Sequence, residues 1–354
     1  MISLLPDHEA EYTKLAQLIN YDIAAPFQNS IRRLQSRFNI YASTSPAPYI
    51  APCLIVTPEI RRQSEIYLPI AEIRRIFHHL YRHALHYPPI LSSAPFHKAL
   101  SWADLYLALP PRFQQSSNPA RLLEALLSDR DMLTEFLFES FMPRRFYGGL
   151  GRYPGQMEFI RGWLDKKNRG GVTRLRSLDA ASGRGEDTCG LATLLMEARF
   201  APEEIEIEGW TLEPLEVWSA AHRSFPHDPK RETIYRRETA RIIEMGYHQR
   251  IRFRCADLTG NLPPHLWQSG IDRQFDLILC NGLLGGPIVG ESEQLEHVLA
   301  NLSSLLAPGG ILLAADSFHD GWKSECRKDG LKGLFLRVGL EISDAGEGIG
   351  GLKL

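Results

Sequence analysis

The segment Ser177-Leu178-Asp179-Ala180-Ala181-Ser182-Gly183-Arg184-Gly185-Glu186-Asp187 carries two glycines one residue apart, with an aspartate before them and two acids after. Leu175 to Leu178 read as a short buried strand, and Leu191-Ala192-Thr193-Leu194-Leu195 continue an amphipathic helix. A strand, a Gly-x-Gly turn and a helix bring bare backbone amides and a helix N-terminus to one point. That chemistry suits a nucleotide-like ligand, because only glycine lets the backbone approach so closely or take positive φ at little cost. A dinucleotide fingerprint needs a third small residue, Gly-x-Gly-x-x-Gly/Ala. Thr188 stands there instead, and Glu186 and Asp187 would repel a pyrophosphate.

The stretch resembles motif I of the class I S-adenosylmethionine (SAM) methyltransferases, Asp-x-Gly-x-Gly-x-Gly, with Ala181 at the first glycine. SAM carries a sulfonium and an amino-acid portion and no phosphate. The resemblance implies that Asp179, Ala181, Gly183, Gly185 and Glu186 border the cofactor, Asp179 chiefly by ordering the turn. It places Glu213, 34 residues beyond Asp179 at the end of a second strand, on the ribose hydroxyls. Asp257-Leu258, after a third strand, would meet the adenine, Asp257 at its amino group. Asn281, ending a fourth strand, would stand where substrate and methyl group meet. Each acid has an ordinary alternative as an exposed strand end, and Asn281 as a strand terminator.

Leu305-Leu306-Ala307-Pro308-Gly309-Gly310-Ile311-Leu312-Leu313 is similar to the leucine-rich helix, Pro-Gly-Gly turn and apolar strand of the same superfamily. Proline and glycine stop a helix and reverse the chain. Within the superfamily, Gly185-Glu186-Asp187-x-x-x-Leu191-Ala192 and Phe275-Asp276-Leu277-Ile278-Leu279-Cys280-Asn281 resemble motifs of the chemotaxis-receptor glutamate (CheR-type) methyltransferases. Those enzymes dock the receptor through a small β-subdomain between strands two and three; here Pro214 to Arg250 reads as two helices about a polar stretch. No Asp/Asn-Pro-Pro-Tyr follows strand four, which speaks against methylation of a base or a glutamine amide.

Two further stretches could contribute chemistry. Phe141 to Pro154 mixes arginines, aromatics and glycines, and reads either as a hinge or as a strap over the cofactor. In the second case Arg145 pairs the methionyl carboxylate and Tyr147 covers the methyl group, with Arg144, Arg152 and Tyr153 nearby. His319, in Asp316-Ser317-Phe318-His319-Asp320, is the candidate general base for a hydroxyl acceptor, or else a surface loop histidine.

The elements that must position these residues alternate as βαβ units should. Strands are expected at about 174–179, 205–213, 251–258, 275–281 and 311–315, with helices at about 155–168, 186–199 and 291–306. A helix near 321–338 and two short strands, about 339–343 and 349–354, close the chain. The fold class is α/β: a doubly wound Rossmann-like methyltransferase domain over 151–354 behind a mainly helical domain over 1–150 that selects substrate or partner. In the latter, Asp7, Thr57, Asn118 and Ser128-Asp129 mark helix starts, the first helix running to about Asn20 and another from Asn29 or Ser30 through Phe38. Pro69 predicts a break.

His79, His83 and His86 stand at i, i+4 and i+7, so one helix face would hold all of them. The neighbours Arg74, Arg75 and Arg82 oppose a divalent metal and favour a solvated basic face. A net charge of −2 over 354 residues argues against binding nucleic acid through bulk positive field. No apolar run approaches the roughly 20 residues of a membrane span, and the first residues lack the basic and apolar regions of a secretory leader. Five scattered cysteines without a CxxC pair fit reduced thiols in a cytoplasmic protein.

The expected activity is methyl transfer from SAM to an oxygen or nitrogen of a small molecule or a protein carboxylate, with no metal. Two other readings stand beside it. One is a non-catalytic SAM-sensing or protein-binding module; the other is a nicotinamide-dependent oxidoreductase.

Overall fold

The computed structural model describes all residues except 7–14, 45–54, 143–150, 172–173, 263–273, 287 and 316–325, and the side chains of 168 and 169. The chain divides into two units, Glu9–Phe146 with Phe225–Pro229, and Met1–His8 with Tyr147–Ser224 and Lys230–Leu354. The first unit contains α1 (Gln28–Thr44), α2 (Pro58–Tyr67), α3 (Ile70–Ala84), α4 (Pro95–Lys98), α5 (Trp102–Ala108), α6 (Pro119–Ser128) and α7 (Arg130–Phe141). Side-chain caps start several of them. Thr57 accepts from the Ile60 amide at 3.3 Å, Asn118 from Ala120 at 2.9 Å, and Asp129 from Asp131 and Met132 at 2.9 and 3.0 Å. Pro69 separates α2 from α3, since it cannot supply an interior helix amide. Phe77 stacks on Phe96 with ring centroids 4.1 Å apart, and Tyr81 bonds Ser140 at 2.9 Å in the interior.

The histidine face is shorter than its spacing suggests. His79 and His83 adjoin, with ring centroids 3.9 Å apart. The chain leaves α3 at Ala84, Leu85 bridges to Ile19, and the His86 amide donates to the Leu18 carbonyl at 3.0 Å. His86 therefore does not share the face. The Asp7 helix start lies outside the described residues, and Ile19 ends in that bridge.

In the second unit β1 (Ile2–Ser3), β2 (Leu175–Asp179), β3 (Ile205–Thr211), β4 (Ile251–Cys255), β5 (Phe275–Leu279), β6 (Leu306–Ala315), β7 (Leu340–Ala345) and β8 (Gly348–Lys353) form one sheet ordered β1-β4-β3-β2-β5-β6-β8-β7. Residues 1–8 thus belong with the sheet and not with the helical segment. The β2–β3, β3–β4, β2–β5 and β5–β6 pairs are parallel; β1 on β4, and β8 on both β6 and β7, are antiparallel. The fold is mixed α/β with a mostly parallel sheet.

The helices here are α8 (Pro154–Arg169), α9 (Glu186–Glu197), α10 (Pro214–His222), α11 (Pro229–Glu244), α12 (Ser292–Leu305) and α13 (Lys328–Arg337). Leu178, Trp210, Ile278 and Leu312 from the strands pack with Val298, Leu299 and Leu302 of α12 and Phe335 of α13. Each such buried side chain contributes about 1.5–3 kcal/mol. The Pro-Gly-Gly stretch is not a turn between helix and strand. Leu306 already pairs with Phe275, and register resumes with Ile311 opposite Leu277, so Ala307–Gly310 bulge within β6.

From β2 the chain builds outward to β3 and β4, then returns to β5 and β6 on the other side. The sheet therefore has its switch point between β2 and β5, where open α/β sheets leave a crevice at the carboxyl ends of the strands.

Candidate functional site

The turn after β2 is tied to both neighbouring strands. The Ala180 amide donates to the Leu279 carbonyl at 2.7 Å and the Ser182 amide to the Trp210 carbonyl at 2.9 Å. Gly183 and Gly185 both take positive φ, +48° and +86°, yet they serve different ends. A Cβ on Gly185 would lie 2.9 Å from the Phe253 ring and from the Tyr235 hydroxyl, so this glycine admits packing from below. Gly183 faces open space, with the Glu216 carboxyl 3.8 Å from a Cβ there. Gly183, not Gly185, leaves backbone that a ligand can approach; Ala181 stands partly buried beside it.

The third small residue of the dinucleotide pattern has its counterpart on a strand. A Cβ on Gly209 of β3 would lie 2.6 Å from Phe253 and 2.8 Å from Thr188 Oγ1. Helix α9 thus approaches the sheet over a strand glycine, which leaves Thr188 free to donate to Asp179 Oδ2 at 2.7 Å.

Several carboxyl groups converge at this turn. Asp179 and Asp187 are buried, and burial pushes both above the ordinary carboxylate range; the Asp187 charge lifts Asp179 further while Thr188, Arg152 and the Ala181 amide oppose the shift. Glu216 is raised by desolvation too, against the pull of its bond from Thr211 and the nearby Arg184. Glu186, expected on the cofactor, is instead held by Arg231 at 2.9 Å and Arg184 at 3.5 Å. Arg152 reaches Asp187 at 3.3 Å, its guanidinium 4.8 Å over the Tyr153 ring. Asp179 Oδ1, Asp187 Oδ1, Ser182 Oγ and Arg152 Nε are buried with no partner among the described residues.

Asn281 does not point a free group at a substrate. Its Oδ1 accepts from Gln156 Nε2 and the Ala315 amide, both at 3.0 Å, and its Nδ2 donates to Gln156 Oε1 at 2.9 Å and Asp187 Oδ2 at 3.2 Å. Those bonds use its whole capacity. It locks β5, β6, α8 and α9 together at the switch point.

Glu213 lies two residues past the end of β3 and caps α10, accepting from the Leu215 amide at 3.2 Å. Asp257 is exposed, its Oδ1 turned onto Thr259 N and Oγ1 at 2.8 and 2.6 Å. Leu258 is buried, in the core cluster that also holds Trp210 and Leu178. His319, Tyr147 and Arg145 lie outside the described residues.

Sequence reasoning missed Gln156 and Glu216. Gln156 carries no local signal, because its partner is 125 residues away. Glu216 could have been found as the acid in the first turn of α10, three residues after its cap.

No protein-family model matches the chain, and no curated protein does. Solved structures similar to it include a cyclase and two methyltransferases. The [4+2]-cyclase SpnF is 20% identical over 48% of this chain and 53% of its own, with a TM-score of 0.31. CalS10, an amino pentose methyltransferase from Micromonospora echinaspora solved with SAM bound, is 15% identical over 56% of this chain and 90% of its own, with a TM-score of 0.36. An O-methyltransferase family protein from Burkholderia thailandensis is 14% identical over 99% of both chains, with a TM-score of 0.35. At these scores none of the likenesses assigns this chain a role. Among the described residues no helix is long and apolar enough to cross a membrane.

Proposed function

We propose that the chain is a SAM-dependent methyltransferase whose cofactor lies on the Asp179–Asp187 turn. The observation that carries the reading is the charge of that turn beside its open glycine. Asp179, Asp187, Glu186 and Glu216 outnumber the guanidinium groups of Arg152, Arg184 and Arg231, and a cation beside Asp179, Asp187 and Glu216 would favour the charged form that burial disfavours. Such a site favours a cationic ligand over a diphosphate. Glu186 and Asp187 are paired with arginines, so Asp179 and Glu216 are the acids that would repel a diphosphate. The sheet adds to it. A dinucleotide fold continues with a parallel sixth strand, whereas antiparallel β8 stands beside β6 here.

SAM fits the groups present. Asp179 Oδ1 and Asp187 Oδ1 suit its ammonium, Arg152 Nε its carboxylate, the Gly183 backbone its close approach, Glu213 its ribose and Asp257 its adenine. When bound, it supplies a methyl group on a sulfonium. The chain's own residues orient the reactants and exclude water, which is where the rate would arise. A carboxylate acceptor needs no base; for a hydroxyl, His319 would take the proton, oriented by Asp316 or Asp320, with Tyr147 over the methyl group. The CheR-type similarity puts a protein carboxylate among the acceptors beside small molecules, although α10 and α11 occupy the interval where those enzymes carry a β-subdomain. We assign acceptor choice to the helical unit.

The test is thermal stability with SAM, S-adenosylhomocysteine and NADH. A ligand at about 100 times its dissociation constant adds roughly 2.7 kcal/mol, a shift of several degrees for a domain of this size. A shift with NADH and none with SAM overturns the reading. SAM binding without turnover on any acceptor would favour the sensing module.

A further inference from the structure

The turn between β7 and β8 reaches the site without touching it. Glu347, in that turn, accepts from the Gly155 amide through Oε1 at 3.0 Å and from the Gln156 amide through Oε2 at 2.9 Å. A single carboxylate thus satisfies two amides that the first turn of α8 leaves without helical partners, Pro154 at its first position having no N–H. Burial raises the Glu347 carboxyl, but the bonds from the Gly155, Glu347 and Gln156 amides together outweigh it and hold the group below its usual range. The contact is tight enough to exclude side chains. Gly346 has φ +64°, and a Cβ there would lie 2.4 Å from the Gly155 carbonyl carbon.

What this clamp holds is the beginning of α8, whose second and third residues it bonds. Gln156, fully buried, pairs with Asn281; Asn281 holds Asp187; and Asp187 takes the guanidinium of Arg152, two residues before the helix. The start of α8 is therefore fixed on one side by Glu347 and on the other by Asn281, and Arg152 extends from that fixed point onto the turn.

We infer that Glu347 is a positioning residue, setting the site of Arg152 through the start of α8 so that the guanidinium meets the amino-acid portion of the cofactor. The inference rests on the methyltransferase reading for its ligand and on the hydrogen bonds of the chain for its mechanism. Loss of the clamp should loosen the α8 start and weaken ligands that carry the amino-acid portion, while leaving those that lack it.

The experiment uses the full chain and compares wild type with Glu347→Gln, Glu347→Ala and Asp344→Ala. Asp344 is an exposed residue of the same hairpin that pairs with Lys328 at 3.4 Å and serves as the control for hairpin structure. Hydrogen exchange at residues 155–158 is followed without ligand, and calorimetry measures SAM and 5′-methylthioadenosine, which lacks the amino-acid portion. Both Glu347 variants should speed exchange at these amides. They should raise the SAM dissociation constant roughly five- to tenfold, the size of one ordinary hydrogen bond, since the Arg152 guanidinium is displaced and not removed, leave 5′-methylthioadenosine unchanged, and differ from Asp344→Ala in both respects. Equal weakening of both ligands, or of neither, overturns the inference. If wild type binds neither ligand the cofactor reading fails, and the clamp is then decided by exchange alone: unchanged protection at 155–158 in Glu347→Gln overturns it. Should Glu347→Ala fail to fold, the glutamine variant carries the test.

Discussion

Gln156 and Asn281 pair their side-chain amides head to head, at 3.0 and 2.9 Å, in the interior of the sheet unit. The remaining capacity of Asn281 goes to the Ala315 amide and Asp187. Asn281→Ala would leave Gln156, the Ala315 amide and Asp187 short of partners in a buried place. An unsatisfied buried polar group costs about 1–3 kcal/mol, and partial relaxation should bring the total to roughly 2–4 kcal/mol. Urea unfolding measures it; a loss under about 0.5 kcal/mol would show that the site repacks freely.

The glycines of the turn separate into a structural and a ligand class. Gly209→Ala would push a methyl into the Phe253 ring and Thr188, and overpacking of this kind costs about 1–3 kcal/mol. Gly183→Ala meets open space but keeps φ +48°, so it should lose only about 1 kcal/mol of stability. Gly183→Val should in addition block SAM, because its side chain would occupy the approach to the backbone. Unfolding curves with calorimetry on the same preparations check the split. Gly183→Val with unaltered SAM affinity would move the site elsewhere.

That split also marks what the sequence could and could not disclose. Strand positions, the Gly-x-Gly turn and the caps at Thr57, Asn118 and Asp129 are local, since each is set by residues within a few positions. Gly209 is equally visible in the sequence, but its meaning depends on Phe253 arriving from β4, and the Gln156–Asn281 pair depends on α8 crossing β5. Glu186 had the right position for a ligand acid and went to Arg231, 45 residues on. His86 kept the helical spacing but not the helix, because Leu85 bridges to Ile19. Periodicity reports the face a residue would share if its element continued. Which tertiary contact ends the element is not written in the period.

The buried pair Asp179 and Asp187 should make the sheet unit less stable as pH rises. Asp179 has an unfolded pKa near 3.9, and burial with the Asp187 charge lifts it in the fold to about 7. A carboxyl raised by folding holds its proton more tightly in the native state. Its stabilising contribution is full below about pH 4 and lost as pH rises through about 7. Asp104, lowered by its bond from Arg61, has the opposite sign and is lost toward acid. Each pKa unit is worth about 1.4 kcal/mol. The melting temperature of wild type should therefore fall between pH 5 and pH 8, and that of Asp179→Asn should fall less. Parallel profiles would show that the pair is solvated in solution.

Glu213 tests the cofactor reading most directly, because two roles for it predict different losses. As the cap of α10 it accepts from the Leu215 amide, and replacing such a cap by alanine costs about 1 kcal/mol of stability. As the acceptor of the ribose hydroxyls its charged hydrogen bonds would add roughly 1.5–3 kcal/mol to binding, a ten- to 150-fold change in dissociation constant. Glu213→Gln keeps an acceptor for the Leu215 amide but gives up the charge, so it should restore most of the stability and only part of the affinity. Asp257→Ala, at an exposed turn, should change affinity less than Glu213→Ala. Calorimetry with SAM and urea unfolding on the three variants decide between the roles. A stability loss in Glu213→Ala with unaltered SAM affinity would leave Glu213 as a helix cap alone.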